Sequence, residues 1–107
     1  MVNARNKGAR VERVIVKELN EADIPCERNL AQTRDGGHDI ETEFHAIEVK
    51  GVETNLQSRW FTQATKQAYV IEKAPVLVHK RSRQVSDYWV LMGVDEFAAY
   101  EKMLKGL

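Results

Sequence analysis

Asp39 and the tripeptide Glu48-Val49-Lys50 stand close together in the middle of this chain. Asp39-Ile40-Glu41-Thr42 and His45-Ala46-Ile47-Glu48-Val49-Lys50 alternate polar and apolar residues about Glu43-Phe44, the pattern of two strands joined by a two-residue turn. Such a turn pairs Asp39 with Glu48 and Ile40 with Ile47. Directly opposed side chains have Cβ atoms about 4.5–5.5 Å apart, so two carboxylates there repel unless a cation lies between them. Lys50 is two residues beyond Glu48 and shares its face, while Ile40, Ile47 and Val49 point to the other. An acid pair with a lysine is what metal-assisted phosphodiester hydrolysis requires. The acids are hard oxygen ligands for Mg2+ with positions left for waters, and the ammonium either orients the attacking water or stabilises charge on the phosphate. A lone Glu-x-Lys is expected about once by chance in a chain of this composition, so the flanking elements must carry the argument.

Those elements can be read from the hydrophobic pattern. Val11, Val14, Ile15, Val16 and Leu19 recur at helical spacing, which predicts a helix over 7–22 ended by Pro25. A short strand over 26–31 and turn chemistry over 33–37 follow, then the hairpin, with Gly51 closing its second strand. Trp60, Ala64, Ala68 and Ile71 lie on one face of a second helix over 56–73, stopped before Pro75. Residues 75–79 and 88–92 are apolar runs of buried-strand character, joined by a polar link over 81–87. The last helix spans 96–105, with Asp95 as its N-cap, acids in its first turn, lysines in its last and Gly106 as its stop. The order αβββαββα is an α/β fold, a mixed sheet with helices packed on it.

Composition bounds the function. The chain has 107 residues, 43% hydrophobic and 30% charged, which fits one domain with a modest core of its own. The longest apolar stretch, Tyr88 to Val94, is too short to span a membrane, and the first ten residues lack the apolar segment of a signal peptide. A single cysteine, Cys26, and three scattered histidines offer neither a disulfide nor a structural zinc site, so a reducing, cytoplasmic setting is expected. Net charge is zero, which argues against coating nucleic acid by bulk charge. The bases are nonetheless clustered: Arg5, Lys7, Arg10, Arg13 and Lys17 against the single acid Glu12, and again Lys80, Arg81 and Arg83.

With these residues in place the chain resembles the PD-(D/E)XK nucleases, most closely the archaeal-type Holliday junction resolvases and their phage relatives. GARVER at 8–13 looks like the family's opening Gly-x-x-x-Glu-Arg, HDI at 38–40 like its Pro-Asp-hydrophobic strand, AIEVK at 46–50 like its Glu-x-Lys strand, and Gln63 like its helical glutamine. His38 replaces the usual proline, and the spacing from Asp39 to Glu48 is short for the family; Asp35 is the competing acid, disfavoured because it lies before two glycines and out of register with Glu48. The resemblance implies a restriction-endonuclease-like fold and Mg2+-dependent hydrolysis of DNA, with Mn2+ as a substitute metal and 5′-phosphate and 3′-hydroxyl products. It implies metal ligation by Asp39, Glu48 and the Val49 carbonyl, with Glu12 holding a metal-bound water or a second ion, Lys50 catalytic and Gln63 supporting the site. It also implies DNA contacts from Arg28 and Lys80; Arg13 and Arg81 in the two basic clusters are further candidate DNA contacts, and Arg34 beside Gly36 and Gly37 is either a DNA-contacting loop residue or an ordinary turn residue. Symmetric nicking of four-way junctions by an intracellular, prokaryotic or phage-encoded homodimer is the specific expectation. Another nicking, repair or restriction-like nuclease on this fold, or a non-catalytic DNA-binding module, is the alternative. Trp60 and Phe61 leave two readings open: one of them exposed, as a dimer contact or a base-stacking surface, or both packed in the core across a wide apolar face.

Overall fold

The computed structural model describes residues 4–30, 37–51, 55–81 and 87–107. At its centre two strands lie side by side and parallel: β3 (His45–Lys50) and β4 (Ala74–Lys80). Both are rich in Val, Ile, Leu and Ala, and both are covered on their two faces, as parallel strands must be. Parallel neighbours need a crossover, and helix α2 (Ser58–Val70) supplies it. On one side β2 (Ile40–Glu41) pairs antiparallel with β3 and with β1 (Glu27–Arg28); on the other β5 (Tyr88–Leu91) pairs antiparallel with β4. The five strands therefore lie in sequence order, β1-β2-β3-β4-β5, with α1 (Ala4–Glu21) and α3 (Val94–Lys105) completing the expected αβββαββα arrangement.

Strand alternation sorts the side chains into two layers. Ile40, Ile47, Val49, Val76 and Val78 face α1, where Val11 and Ile15 close the core and Val16, Leu19, Cys26 and Tyr88 pack around it. The opposite layer carries Ala46, Glu48, Leu77 and His79, all buried, on the side that α2 covers with Trp60, Ala64 and Ala68. The small residues at 64 and 68 let the helix backbone lie close to the sheet. Gly51 has an equivalent role at the end of β3: a Cβ there would meet Val11 Cγ2 at 2.9 Å, so the strand approaches α1 as closely as it does only without a side chain.

The helix ends differ from expectation. α1 is closed by a Schellman motif ahead of Pro25: the Ile24 N–H donates to the Leu19 carbonyl (2.9 Å), the Asp23 N–H to the Asn20 carbonyl (3.1 Å), and Asp23 has φ 65°. α2 ends the same way, with Lys73 N–H on the Ala68 carbonyl (3.0 Å), Glu72 N–H on the Tyr69 carbonyl (3.2 Å) and Glu72 at φ 57°. A left-handed residue with a Cβ costs about 1–2 kcal/mol, so Asp23→Gly and Glu72→Gly are each expected to stabilise the fold by up to about 1 kcal/mol. Thermal denaturation checks this, and a fall in melting temperature for both variants contradicts it. At α3 the N-cap is Gly93, without a side-chain cap, and Asp95 lies inside the first turn beside Glu96. The expected Asp95 cap is thus corrected, while the charge pattern of acids first and Lys102 and Lys105 last holds.

No residue of α3 is buried, and Val94, Phe97, Met103 and Leu104 are exposed. The helix reaches the sheet through His45, whose Nε2 lies 3.2 Å from Glu96 Oε2 and hydrogen-bonds the Tyr100 hydroxyl. No described helix is long and apolar enough to cross a membrane.

Candidate active site

The turn that aligns the two acids closes without the favoured Asn-Gly. The Thr42 N–H donates to the His45 carbonyl and the His45 N–H to the Thr42 hydroxyl oxygen, both at 3.0 Å, which leaves Glu43 and Phe44 as the two loop residues. The register is the expected one, Ile40 opposite Ile47 and Glu41 opposite Ala46. Beyond Ile40 the pairing with β3 bulges, since the Asp39 N–H also turns to the Ile47 carbonyl (3.0 Å), while the pairing with β1 runs on, the Asn29 N–H donating to the Asp39 carbonyl (2.8 Å). Lys73, at the end of α2, clamps the other end of this unit: its ammonium binds Glu41 Oε2 (2.7 Å) and the Thr42 carbonyl (2.6 Å), and His38 Nε2 meets Glu41 Oε1 at 2.9 Å. That ammonium is the main reason the Glu41 carboxyl is held below its ordinary range.

Asp39 and Glu48 are 6% and 8% exposed, so two carboxyl groups face each other almost out of water. Asp39 Oδ2 accepts a 2.7 Å hydrogen bond from the Val49 N–H. Glu48 is pushed up to about 8, first by burial and then by the Asp39 charge and the hydrogen bond the two share, with Glu12 adding to the effect and Lys50 opposing it. Asp39 is raised as well, by burial, against the pull of Val49, Glu48, Lys50 and His38. At neutral pH and without a cation the pair therefore shares a proton. Its Oε2 is buried with no hydrogen-bond partner, a lone pair available to a cation but to nothing else nearby. Lys50 Nζ lies 3.7 Å from Glu48 Oε1 and 5.7 Å from the centre of the Trp60 ring, so the indole underlies the ammonium.

The remaining expected residues do not all join the pair. Glu12 is buried near the pair and binds Arg28, whose Nε donates to Glu12 Oε1 at 3.0 Å; Arg28 is thus committed to a site carboxylate as well as lying on β1. Gln63 is exposed on α2, and the glutamine whose amide oxygen is buried there is Gln67, two turns on from the buried Trp60. That spacing was the available signal for it. Arg13 is exposed on α1, and Lys80 and Arg81 lie at and just past the end of β4. Arg34 and the competing Asp35 lie outside the described residues. Of the two neighbouring aromatic residues, Trp60 is buried and Phe61 is half-buried in the cleft between α2 and α3, with Pro75 and Ala99, an arrangement between the two readings.

The donor set suits a hard divalent ion. Among the described residues no three His, Cys, Asp or Glu side chains converge as a ready cluster, since Glu12 is drawn toward Arg28. Mg2+ needs no such cage: it keeps several waters and binds through one or two carboxylates. Val49 adds a third oxygen in kind, because a strand residue directs its N–H and C=O to the same side, here the side of Asp39. Two carboxylates, one of them with an unsatisfied buried oxygen, and a carbonyl fit the ion.

No protein-family model matches the sequence, nor does any curated protein. Among solved structures the chain matches a Holliday junction resolvase from the archaeal hyperthermophile Archaeoglobus fulgidus, with a TM-score of 0.62 over 78% of this chain and 73% of that one, at 21% identity. The fold is that of a Holliday junction resolvase. The resolvase fold accounts for the mixed five-stranded sheet flanked by helices, and it bears out the resemblance drawn from the four motifs at the level of architecture.

Proposed function

We propose that this chain is a single nuclease domain over 1–107, a metal-dependent and structure-selective DNA endonuclease that resolves Holliday junctions. The observation that carries the reading is the buried, opposed pair Asp39 and Glu48 with Lys50 beside it, on a resolvase fold. A purely structural sheet has no use for two acids that must share a proton to coexist. Asp39, Glu48 and the Val49 carbonyl would hold Mg2+ or Mn2+, and Glu12 would hold a ligated water or a second ion. The ion when bound neutralises phosphate charge and lowers the pKa of its water.

The protein's own groups do the rest. The Val49 N–H fixes the Asp39 carboxylate, and Arg28 fixes Glu12. Lys50, with its charge held over Trp60, orients the attacking water or stabilises the charge that grows on the scissile phosphate. Hydrolysis leaves a 5′-phosphate and a 3′-hydroxyl. Arg13, Lys80 and Arg81 supply local positive charge that a chain of zero net charge lacks in bulk. A chain this short covers little of a branched DNA, and two symmetry-related strands call for two sites, so the working unit is a homodimer acting inside the cell.

Cleavage of a labelled four-way junction, beside linear duplex and single strand, in Mg2+, Mn2+ and EDTA, tests the proposal. Paired symmetric nicks in the junction, lost in EDTA, are the expected result. Equal cutting of linear DNA removes the junction preference and leaves a general nuclease; tight junction binding with no cutting in either metal leaves a binding module.

A further inference from the structure

A row of side chains leads away from the acid pair on the same face of the sheet. Lys50 on β3 is in register with His79 on β4, and His79 with Trp89 on β5. His79 is 3% exposed and sits between the two tryptophans of the chain, its ring centre 5.4 Å from that of Trp60 and 6.0 Å from that of Trp89. The Trp89 Nε1–H donates to His79 Nδ1 at 2.9 Å, which leaves the imidazole's own proton on Nε2, buried and without a hydrogen-bond partner. Leaving that N–H unsatisfied carries a cost, and what it secures is the orientation of Trp89.

Trp89 is not itself a core residue. It is 49% exposed, and the Arg81 guanidinium lies 5.5 Å from its ring centre, with Arg81 Nε 3.6 Å from Asp87 Oδ1. An indole fixed at its N–H, half open to solvent and flanked by the Arg81 guanidinium is the combination that binds nucleic acid by stacking: a π-face for a base and a cation for the phosphate beside it. Fixing the ring beforehand removes the entropy that a mobile tryptophan loses on binding. Two strand spacings of about 4.8 Å separate Trp89 from Lys50, and one nucleotide rises about 3.4 Å along a strand. A base on Trp89 therefore lies within about three nucleotides of a phosphate at Lys50.

We propose that Trp89, oriented by His79 and flanked by Arg81, is a stacking platform for an unstacked DNA base at a branch point beside the cleavage site; this rests on the nuclease reading above. Intact duplex presents no open base face in its interior, whereas a branch exposes one wherever coaxial stacking is broken. The platform is thus a device for preferring branched DNA, separate from the chemistry of Asp39, Glu48 and Lys50.

The test measures binding in EDTA, so that no cleavage intervenes, of a four-way junction and of linear duplex to wild type, Trp89→Ala and Trp89→Phe. Base stacking on an aromatic side chain predicts a loss of about 5- to 150-fold in junction affinity for Trp89→Ala, with duplex affinity changed less than about threefold and most of the loss restored in Trp89→Phe. The chain has two tryptophans and Trp60 is buried, so quenching of tryptophan emission by junction DNA should be present in wild type and absent in Trp89→Phe. Equal losses on junction and duplex overturn the platform in favour of a backbone contact. Unchanged junction binding by Trp89→Ala, in a protein whose wild type cuts junctions, overturns the platform alone. A wild type that neither binds nor cuts DNA overturns both proposals.

Discussion

Asp39→Asn is expected to reduce junction cleavage by about a thousandfold or more while leaving the protein folded. The substitution removes one of two carboxylates proposed to hold the divalent ion, and the ion's contribution to the transition state is several kcal/mol, each 1.36 kcal/mol being a factor of ten in rate. The fold survives because the buried Val49 N–H still finds an oxygen: the asparagine carbonyl accepts the bond that Asp39 Oδ2 now accepts at 2.7 Å. The same change removes the negative charge facing Glu48, so the metal-free variant is expected to be at least as stable as wild type. Single-turnover cleavage at saturating Mg2+, run beside thermal unfolding in EDTA, separates these effects. Retention of more than a tenth of the wild-type rate sinks the assignment of Asp39, and a cleavage loss that merely tracks unfolding gives it no support.

Glu48 makes the larger prediction about stability. Its carboxyl is pushed to about 8 in the folded protein by burial and by the acids around it, from an ordinary 4.5. The folded state therefore holds this proton more tightly than the unfolded chain does. Below about pH 4.5 both states are protonated and the contribution is fully present; as pH rises from about 4.5 to about 8 folding requires a proton that solution supplies less and less readily, and the contribution is lost. Metal-free protein should lose ~3–5 kcal/mol of stability across that window, with no further loss from this group above it. Asp39 is raised too and acts in the same sense, whereas Glu41, held low by Lys73, acts in the opposite sense and only near and below its ordinary value. Glu48→Gln isolates the effect: urea denaturation in EDTA at pH 5, 6.5 and 8 should show the decline in wild type and a nearly flat profile in the variant, which is also expected to be inactive. Mg2+ at pH 8 should restore stability to wild type alone, because the cation takes the place of the proton. Parallel pH profiles for the two proteins contradict the assignment.

The hairpin was the most legible part of the site, and the reason is mechanical. A two-residue turn fixes register, register fixes which side chains oppose, and the alternation of Ile40, Ile47 and Val49 against Asp39, Glu48 and Lys50 then assigns the faces. The crossover helix was legible for a similar reason, since Trp60, Ala64 and Ala68 repeat at helical spacing and are the residues α2 buries. Contacts between distant elements were not. Nothing in the pattern brings Arg28 to Glu12, because pairing of opposite charges across elements leaves no periodic trace. His79 and Trp89 meet only once β4 and β5 are in register, and the polar link between them does not set that register. Gln63 was read into the site by resemblance alone, and Gln67, one helical turn on and with its amide oxygen buried, was not singled out because it lies near the edge of the apolar stripe. The endings of α1 and α2 were missed because their left-handed positions are held by Asp23 and Glu72, where glycine is the recognisable signal.

The attachment of α3 divides the molecule into two tiers of cooperativity. The sheet, α1 and α2 share one interior and must open together, so their backbone amides report the global unfolding free energy. α3 buries none of its residues and meets the sheet at His45 through Glu96 and Tyr100, so it can fray and re-form without disturbing Val76, Leu77 or Val78. The face that carries Asp39, Glu48 and Lys50 belongs to the first tier. Its geometry is insulated from breathing of the last helix, and a chain of barely a hundred residues thereby keeps a rigid site next to a segment free to fluctuate.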